Sequence, residues 1–377
     1  MKKNKNQELK VAMLGHKKIP SRLGGIEIVV EELASRMVKQ GIKVTCYNRN
    51  DKDTDNNNIK EYKGIRIKKA FTINKKGMAA VTSSFFASIK CAFGNYDVVH
   101  YHAEGPCVFM WIPKLFGKKC VATIHGLDHK RAKWGKFASW YIKKGEKNAV
   151  KYADEIIVLS NNVKNYFQDK YNRHTVFISN GVNKVERKKA DLITDKFGLK
   201  YEEYILFLAR LVPEKGVRYL IEAYKSVNTE KKLVIAGGAS DTDDFANELK
   251  KLAEDDKRII FTGFVQGQIL EELYSNCYLY TLPSNLEGMP LSLLEAMSYG
   301  RCCIISDIEE CTSVAENHAI VFRKSDIEDL KEKIQYACDN PDVVHEYSSN
   351  SADFICKKYN WDEVTNNTVD IYRQLCR

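Results

Sequence analysis

Two glutamates, Glu287 and Glu295, stand with seven residues between them around Gly288, Met289, Pro290, Leu291 and Ser292. Taken singly, each reads as a helix cap or a solvated helix residue, since charged side chains mostly lie at the surface. Their setting argues for chemistry. Residues 278–284 form a short apolar run with strand character, and residues 290–299 carry a helix pattern, with proline in the first turn and Gly300 as a left-handed stop. Strand, tight loop and helix in that order aim the amides of residues 288–292, and the positive end of the helix dipole, at one spot suited to a phosphate. The two carboxylates fit a different task, accepting hydrogen bonds from sugar or ribose hydroxyls.

A second constellation lies upstream. Arg210 and Lys215 sit on a loop between a strand at 204–209 and a helix at 217–227, with Gly216 at the turn. A guanidinium grips two phosphate oxygens in one plane and an ammonium adds a point charge, so the pair can converge on a diphosphate. Near the start of the chain, a strand at 9–15 leads through a loop to a helix at 26–40, placing Gly24 and Gly25 at a helix N-terminus with Arg22 in reach of a bound anion. Two apolar runs, 97–102 and 120–125, end in His102 and His125 at the expected carboxyl edge of a sheet, where open α/β folds bind ligands.

The elements that must position these groups alternate strand and helix along the whole chain. A length of 377 residues suits two α/β domains better than one core, and 44% hydrophobic with 29% charged residues is a globular composition. The lysine-rich start is followed by a strand pattern and no run approaches a membrane span, which predicts a cytoplasmic protein. Eleven cysteines without Cys-x-x-Cys spacing read as buried small hydrophobes, and no zinc spacing is present.

Charge is uneven: residues 1–188 carry 37 Lys and Arg against 16 Asp and Glu, while the rest is net acidic, and the charged run at 184–189 marks a linker between the two domains. The basic half either faces something acidic, an anionic membrane surface or a phosphate-bearing lipid, or is a solvated lysine-rich surface; no nucleic-acid motif accompanies it. Within it, residues 129–153 mix lysines with Trp134, Phe137, Trp140 and Tyr141. That segment forms either an interfacial amphipathic helix or a helix whose aromatics pack on the sheet. Asp-x-Asp triplets at 51–55 and 241–243 read as polar loops.

Glu-x7-Glu with Gly288, Pro290 and Ala296 resembles the motif of retaining glycosyltransferases of family 4, and the other motifs occur in that family's order. The resemblance implies the GT-B fold: two Rossmann-like domains facing across a cleft, here residues 1–188 for the acceptor and 189–360 for the donor, with a terminal helix at 361–377 crossing back to the first. It implies a nucleotide-sugar donor, no cofactor and no metal. Arg210, Lys215 and the 288–292 amides are given to the diphosphate, Glu295 to the ribose, Glu287 and His125 to the transferred sugar. Gly24 and Gly25 lie near the donor phosphates or the acceptor, Gly237 near the base, and Arg22 and His102 go to the acceptor side. Domain closure is then needed to bring His125 to the sugar.

The chain departs from the pattern at Asn183, where the family usually has aspartate, and at Gly237-Gly238, where it often has Gly-x-Gly. Residues 19–27 resemble bacterial enzymes building capsular or surface polysaccharide on a lipid carrier, so a saccharide or lipid-linked saccharide acceptor and a peripheral membrane location are expected. A nucleotide-sugar epimerase and a non-catalytic nucleotide-sugar binding protein are the alternatives on this scaffold; a dehydrogenase lacks its dinucleotide fingerprint.

Overall fold

A computed structural model describes residues 8–50, 59–75, 77–130, 135–238 and 243–377. The triplets at 51–55 and most of 241–243, and Trp134, lie outside the described residues. In chain order the first part of the chain runs β1 (Lys10–Leu14), α1 (Gly25–Lys39), β2 (Lys43–Arg49), β3 (Glu61–Tyr62), β4 (Ile65–Ala70), α2 (Met78–Phe93), β5 (Val98–His102), α3 (Trp111–Leu115), β6 (Lys119–Ile124), α4 (Lys136–Tyr152), β7 (Glu155–Val158), α5 (Asn161–Tyr171) and β8 (Val176–Phe177). These strands make one sheet in the order β3-β4-β2-β1-β5-β6-β7-β8, parallel except for the β3–β4 pair.

The chain continues through α6 (Leu192–Phe197), β9 (Tyr204–Leu208), α7 (Val217–Lys225), β10 (Lys232–Ala236), α8 (Asp244–Leu252), β11 (Ile259–Gly263), α9 (Gln268–Asn276), β12 (Leu279–Leu282), α10 (Leu291–Ser298), β13 (Cys302–Ser306), α11 (Glu309–Ala315), β14 (Ile320–Phe322), α12 (Ile327–Asp339) and α13 (Pro341–Lys358), ending in α14 (Trp361–Leu375). Its sheet is fully parallel, ordered β11-β10-β9-β12-β13-β14. The central strands, such as Tyr-Ile-Leu-Phe-Leu in β9 and Cys-Cys-Ile-Ile-Ser in β13, are continuous apolar runs because a parallel sheet is covered on both faces. Cys302 and Cys303 are buried there, and all eleven cysteines are free thiols.

In each sheet the strand order reverses once, between β1 and β5 in the first and between β9 and β12 in the second. A doubly wound sheet leaves a crevice at the carboxyl ends of the strands at that point.

The chain divides into a first unit of Met1–Asn180 with Trp361–Arg377, and a second of Gly181–Asn360. The division falls eight residues earlier than the expected 188, because residues 181–188 are bonded into the second unit. The Val182 amide donates to the Tyr359 carbonyl at 2.8 Å and the Lys188 amide to Ser275 Oγ at 2.9 Å. Arg187 donates to the carbonyls of Tyr299 and Gly300 at 2.9 and 3.0 Å. A charge run that reads as a solvated linker thus carries an arginine docked on a helix end. Helix α14 lies on α1 within the first unit, where Arg36 Nε meets Asp362 Oδ1 at 2.9 Å and Tyr372 OH meets His100 Nδ1 at 2.5 Å.

Candidate functional site

In the second unit the loops after β9 and β12 leave neighbouring strands at the reversal point, so the two sequence-marked constellations adjoin. Their backbones touch closely. Gly216 has φ +73°, and a Cβ there would stand 2.0 Å from the Pro283 carbonyl oxygen, so only glycine fits. The Asn285 amide donates to the Glu214 carbonyl at 2.8 Å, and Tyr219 donates to Asn285 Oδ1 at 2.6 Å and to the Pro283 carbonyl.

This packing brings Lys215 Nζ to 2.5 Å from Glu287 Oε1, which also accepts from Ser284 Oγ at 2.7 Å. Both charged side chains are largely enclosed, 14% and 8% exposed, so their attraction is screened less than at the surface. Arg210 begins the same loop and is half-buried. Helix α10 starts after Pro290, and the Leu293 and Leu294 amides bond back to the Pro290 carbonyl at 3.1 and 3.2 Å. Helix geometry leaves the amides ahead of them without partners in their own helix. Gly288, Met289 and Pro290 are buried, Leu291 and Ser292 half-buried. Gly300 ends the helix with φ +65°.

Glu295, one turn into α10, accepts from Tyr274 OH at 3.1 Å. Tyr274 comes from α9 and stacks on Tyr299 at 5.4 Å between ring centroids. Burial and the Glu295 carboxylate hold its pKa well above the ordinary phenol value, so it stays a neutral donor. Tyr280 OH lies 2.8 Å from Ser292 Oγ. Tyr219, Tyr274 and Tyr280 carry no motif of their own; the signal available was a tyrosine on each element flanking the loops. At Gly237 an added Cβ would meet the Ala209 carbonyl oxygen at 1.8 Å, so the β10 turn presses on the end of β9 beside Arg210.

The corresponding point of the first unit is furnished differently. A Cβ on Gly15, φ +110°, would lie 2.2 Å from the His102 carbonyl oxygen, which keeps the β1 loop against the end of β5. Gly24 caps α1 and Gly25 opens it, but Glu27 in the first turn accepts the Lys17 amide at 2.8 Å and faces Gly24 with its other oxygen. This helix N-terminus already meets a carboxylate. Arg22 Nη2 stands 3.8 Å from both Glu31 and Glu32. His102 and His125 come together, Nδ1 to Nε2 at 3.1 Å. His102 is fully enclosed, and burial holds it well below the ordinary imidazole pKa, whereas His125 is half-buried. A neutral buried imidazole is placed to orient His125, not to meet an acceptor directly.

On α4, Phe137 and Trp140 are 78% and 56% exposed with their rings 5.7 Å apart. Tyr141 on the same helix is half-buried. Among the described residues no helix is long and apolar enough to cross a membrane.

Comparison with known proteins agrees with this architecture. Residues 23–185 match the family model "Glycosyltransferase Family 4", and residues 190–354 match "Glycosyl transferases group 1". An uncharacterized glycosyltransferase of Methanocaldococcus jannaschii is 24% identical over 413 residues, covering 97% of this chain and 98% of its own. The UDP-Gal:alpha-D-GlcNAc-diphosphoundecaprenol alpha-1,3-galactosyltransferase of Escherichia coli is 27% identical, covering 74% and 75%. The structure of Anabaena HepE in complex with UDP and glucose shares the fold with a TM-score of 0.81 at 15% identity, covering 97% of this chain and 100% of that one. With one model matching on each unit and the doubly wound sheets beneath them, the chain belongs to glycosyltransferase family 4 and has the GT-B fold.

Proposed function

We propose that this enzyme is a retaining, metal-independent hexosyltransferase that moves a sugar from a nucleoside diphosphate to a hydroxyl of a lipid-linked saccharide during surface polysaccharide synthesis. The observation that carries the donor half is the enclosed Lys215–Glu287 pair beside the N-terminus of α10. Arg210, Lys215 and the N–H groups of Gly288, Leu291 and Ser292 form a preorganised positive surface for the leaving diphosphate, and stabilisation of that kind is often the largest catalytic term. With these groups meeting the developing charge, the chemistry needs no metal.

Glu295 is assigned to the ribose hydroxyls, with Tyr274 holding its carboxylate in place. Glu287 is assigned to hydroxyls of the transferred sugar while orienting Lys215. It is not given a nucleophile's role; the acceptor hydroxyl attacks from the face the phosphate leaves. The family resemblance gives His125 to the same sugar, with His102 behind it. Gly24, Gly25 and Arg22 serve the acceptor better than a donor phosphate, because Glu27 lies against Gly24. The E. coli relative's name gives a diphosphoundecaprenol-linked acceptor. The exposed Phe137 and Trp140, on a helix that also carries Lys136, Lys143, Lys144 and Lys147, suit the surface of an anionic membrane where such an acceptor resides.

The test is a thermal-shift screen of the full chain against UDP, GDP, dTDP and their common sugars, repeated with Lys215→Ala and Glu295→Ala. Selective stabilisation by one nucleotide, about 2.7 kcal/mol at a hundredfold excess over Kd, and its loss in both variants are expected. No response to any nucleotide, with or without anionic vesicles, would overturn the reading.

A further inference from the structure

The first unit holds a second cluster, made of Glu104 after β5, His129 after β6 and Glu146 on α4. It forms because α4 comes unusually close to the turn at Gly105–Phe109: a Cβ on Gly145 would stand 2.0 Å from the Glu104 carbonyl oxygen. That approach places the Glu146 side chain next to that of Glu104. Both carboxylates are fully enclosed, and the His129 side chain is 8% exposed.

Each carboxylate gives one oxygen to the protein and turns the other inward. Glu104 Oε2 accepts the Asp128 amide at 3.0 Å. Glu146 Oε1 accepts from Tyr166 OH at 2.9 Å, from Lys170 Nζ at 3.0 Å and from Tyr171 OH. The inward atoms, Glu104 Oε1, Glu146 Oε2 and His129 Nδ1, are buried, have no partner outside this trio, and lie within 4.8 Å of one another. His129 Nδ1 is 3.1 Å from Glu146 Oε2 and 3.7 Å from Glu104 Oε1. Ligands held at about 2.0–2.1 Å in a tetrahedral shell are roughly 3.3 Å apart. Three buried donor atoms that converge on one point and bond to nothing outside the trio describe a coordination site.

We propose that Glu104, His129 and Glu146 bind one zinc-type divalent cation as a structural staple in the first unit. One imidazole and two carboxylates suit zinc or a neighbouring first-row ion better than calcium or magnesium, which favour all-oxygen shells. The staple joins the segments that follow β5 and β6 to helix α4. It fixes the loop running from His125 to His129, and so bears on the position of His125 without taking part in transfer.

The experiment uses the full chain without a metal-binding tag, stripped with EDTA and titrated with Zn²⁺ against a chromophoric chelator, with bound metal counted by mass spectrometry. One equivalent is expected, raising Tm by several degrees. His129→Gln and Glu104→Gln, checked for folding by circular dichroism, are expected to weaken binding at least tenfold and to abolish the Tm rise. Zinc-edge X-ray absorption of the unsubstituted protein reads the shell without relying on either variant, and an oxygen and nitrogen shell with one imidazole is expected. A folded protein that takes up no zinc, variants that bind it unchanged, or sulfur in the shell would each overturn the proposal.

Discussion

The two sheets reverse their strand order in the same way, yet the loops at the two reversal points offer a ligand different charge. In the second unit the helix after the loop starts at proline, and a lysine from the neighbouring loop stands beside it, tied to Glu287. In the first, the helix carries Glu27 in its opening turn, Arg22 faces Glu31 and Glu32, and His16 and His102 are buried imidazoles. One backbone plan thus serves two chemistries. What meets the helix N-terminus differs, a carboxylate of the chain's own in the first unit and, on our proposal, the donor's diphosphate in the second.

The largest test of that contrast is acid. His16, His100 and His102 all lie in the first unit, and burial pushes His16 down to about 4, against the opposing pull of Glu27, and His100 down to about 3, with His125 adding to the shift. His102 is lowered strongly as well. The unfolded chain takes up these protons near pH 6.5 while the folded one does not. The unfolded state therefore binds more protons below that pH, and stability falls as pH falls. Glu104, held up to about 8 by burial, works the other way, leaving about two protons net between pH 6.5 and 4.5. Each is worth about 1.4 kcal/mol per pH unit, so a loss of several kcal/mol is expected. All four tryptophans belong to the first unit. Denaturant unfolding followed by their fluorescence should shift to lower midpoints between pH 7 and 4.5; a midpoint independent of pH would show that the imidazoles are not held neutral.

Next in size is the cation. Lys215→Ala should lower kcat/KM by about 10²–10³, the range for removing one preorganised donor from a site of developing negative charge. Glu27→Gln, the matching change in the first unit, removes no positive charge and should alter kcat/KM less than tenfold. Steady-state kinetics on both variants checks the pair, and equal losses would dissolve the contrast.

A glycine comparison sharpens it further. Gly216→Ala meets both a left-handed φ and a backbone oxygen that cannot move aside, so a loss of about 1–3 kcal/mol is expected, with a weaker nucleotide response. Gly24→Ala meets only the end of the Glu27 side chain, in an extended backbone that any residue adopts, and should cost a few tenths of a kcal/mol. Chemical denaturation of the two variants separates these outcomes.

How much of this was legible follows from how local each feature is. The strand, loop and helix around Glu287 and Glu295, and the loop of Arg210 to Gly216, are each written in one short stretch, and their secondary structure came out within a residue or two. That Lys215 would meet Glu287 is not local, since it depends on Gly216 letting one loop press on another. Glu27 carries no motif, and its capture of the Lys17 amide is not local to the helix pattern. The charges at 184–189 read as linker because the pattern cannot tell a solvated arginine from one docked on carbonyls. Glu104, His129 and Glu146 belong to three segments without metal spacing, and only the close approach at Gly145 gathers them.

The smallest effect concerns a residue that no motif marks. Tyr274 reaches Glu295 Oε2 at 3.1 Å and the Ser292 carbonyl at 3.3 Å with a single proton, so it holds the carboxylate from behind. Tyr274→Phe keeps the ring, and with it the stack on Tyr299, and deletes only that donor. A hydrogen bond to a charged group contributes about 1.5–3 kcal/mol, but ribose hydroxyls can take over part of the carboxylate's demand once donor is bound. Donor affinity should therefore fall by about three- to tenfold with kcat nearly unchanged, read as a rise in KM for the nucleotide sugar. The His102→Asn variant tests the equivalent support in the first unit, and there kcat should fall while donor KM stays constant, because His102 backs a residue assigned to the transferred sugar and not to the ribose. If both variants raise donor KM alike, the two supports do not serve separate tasks, and His125 must be reassigned.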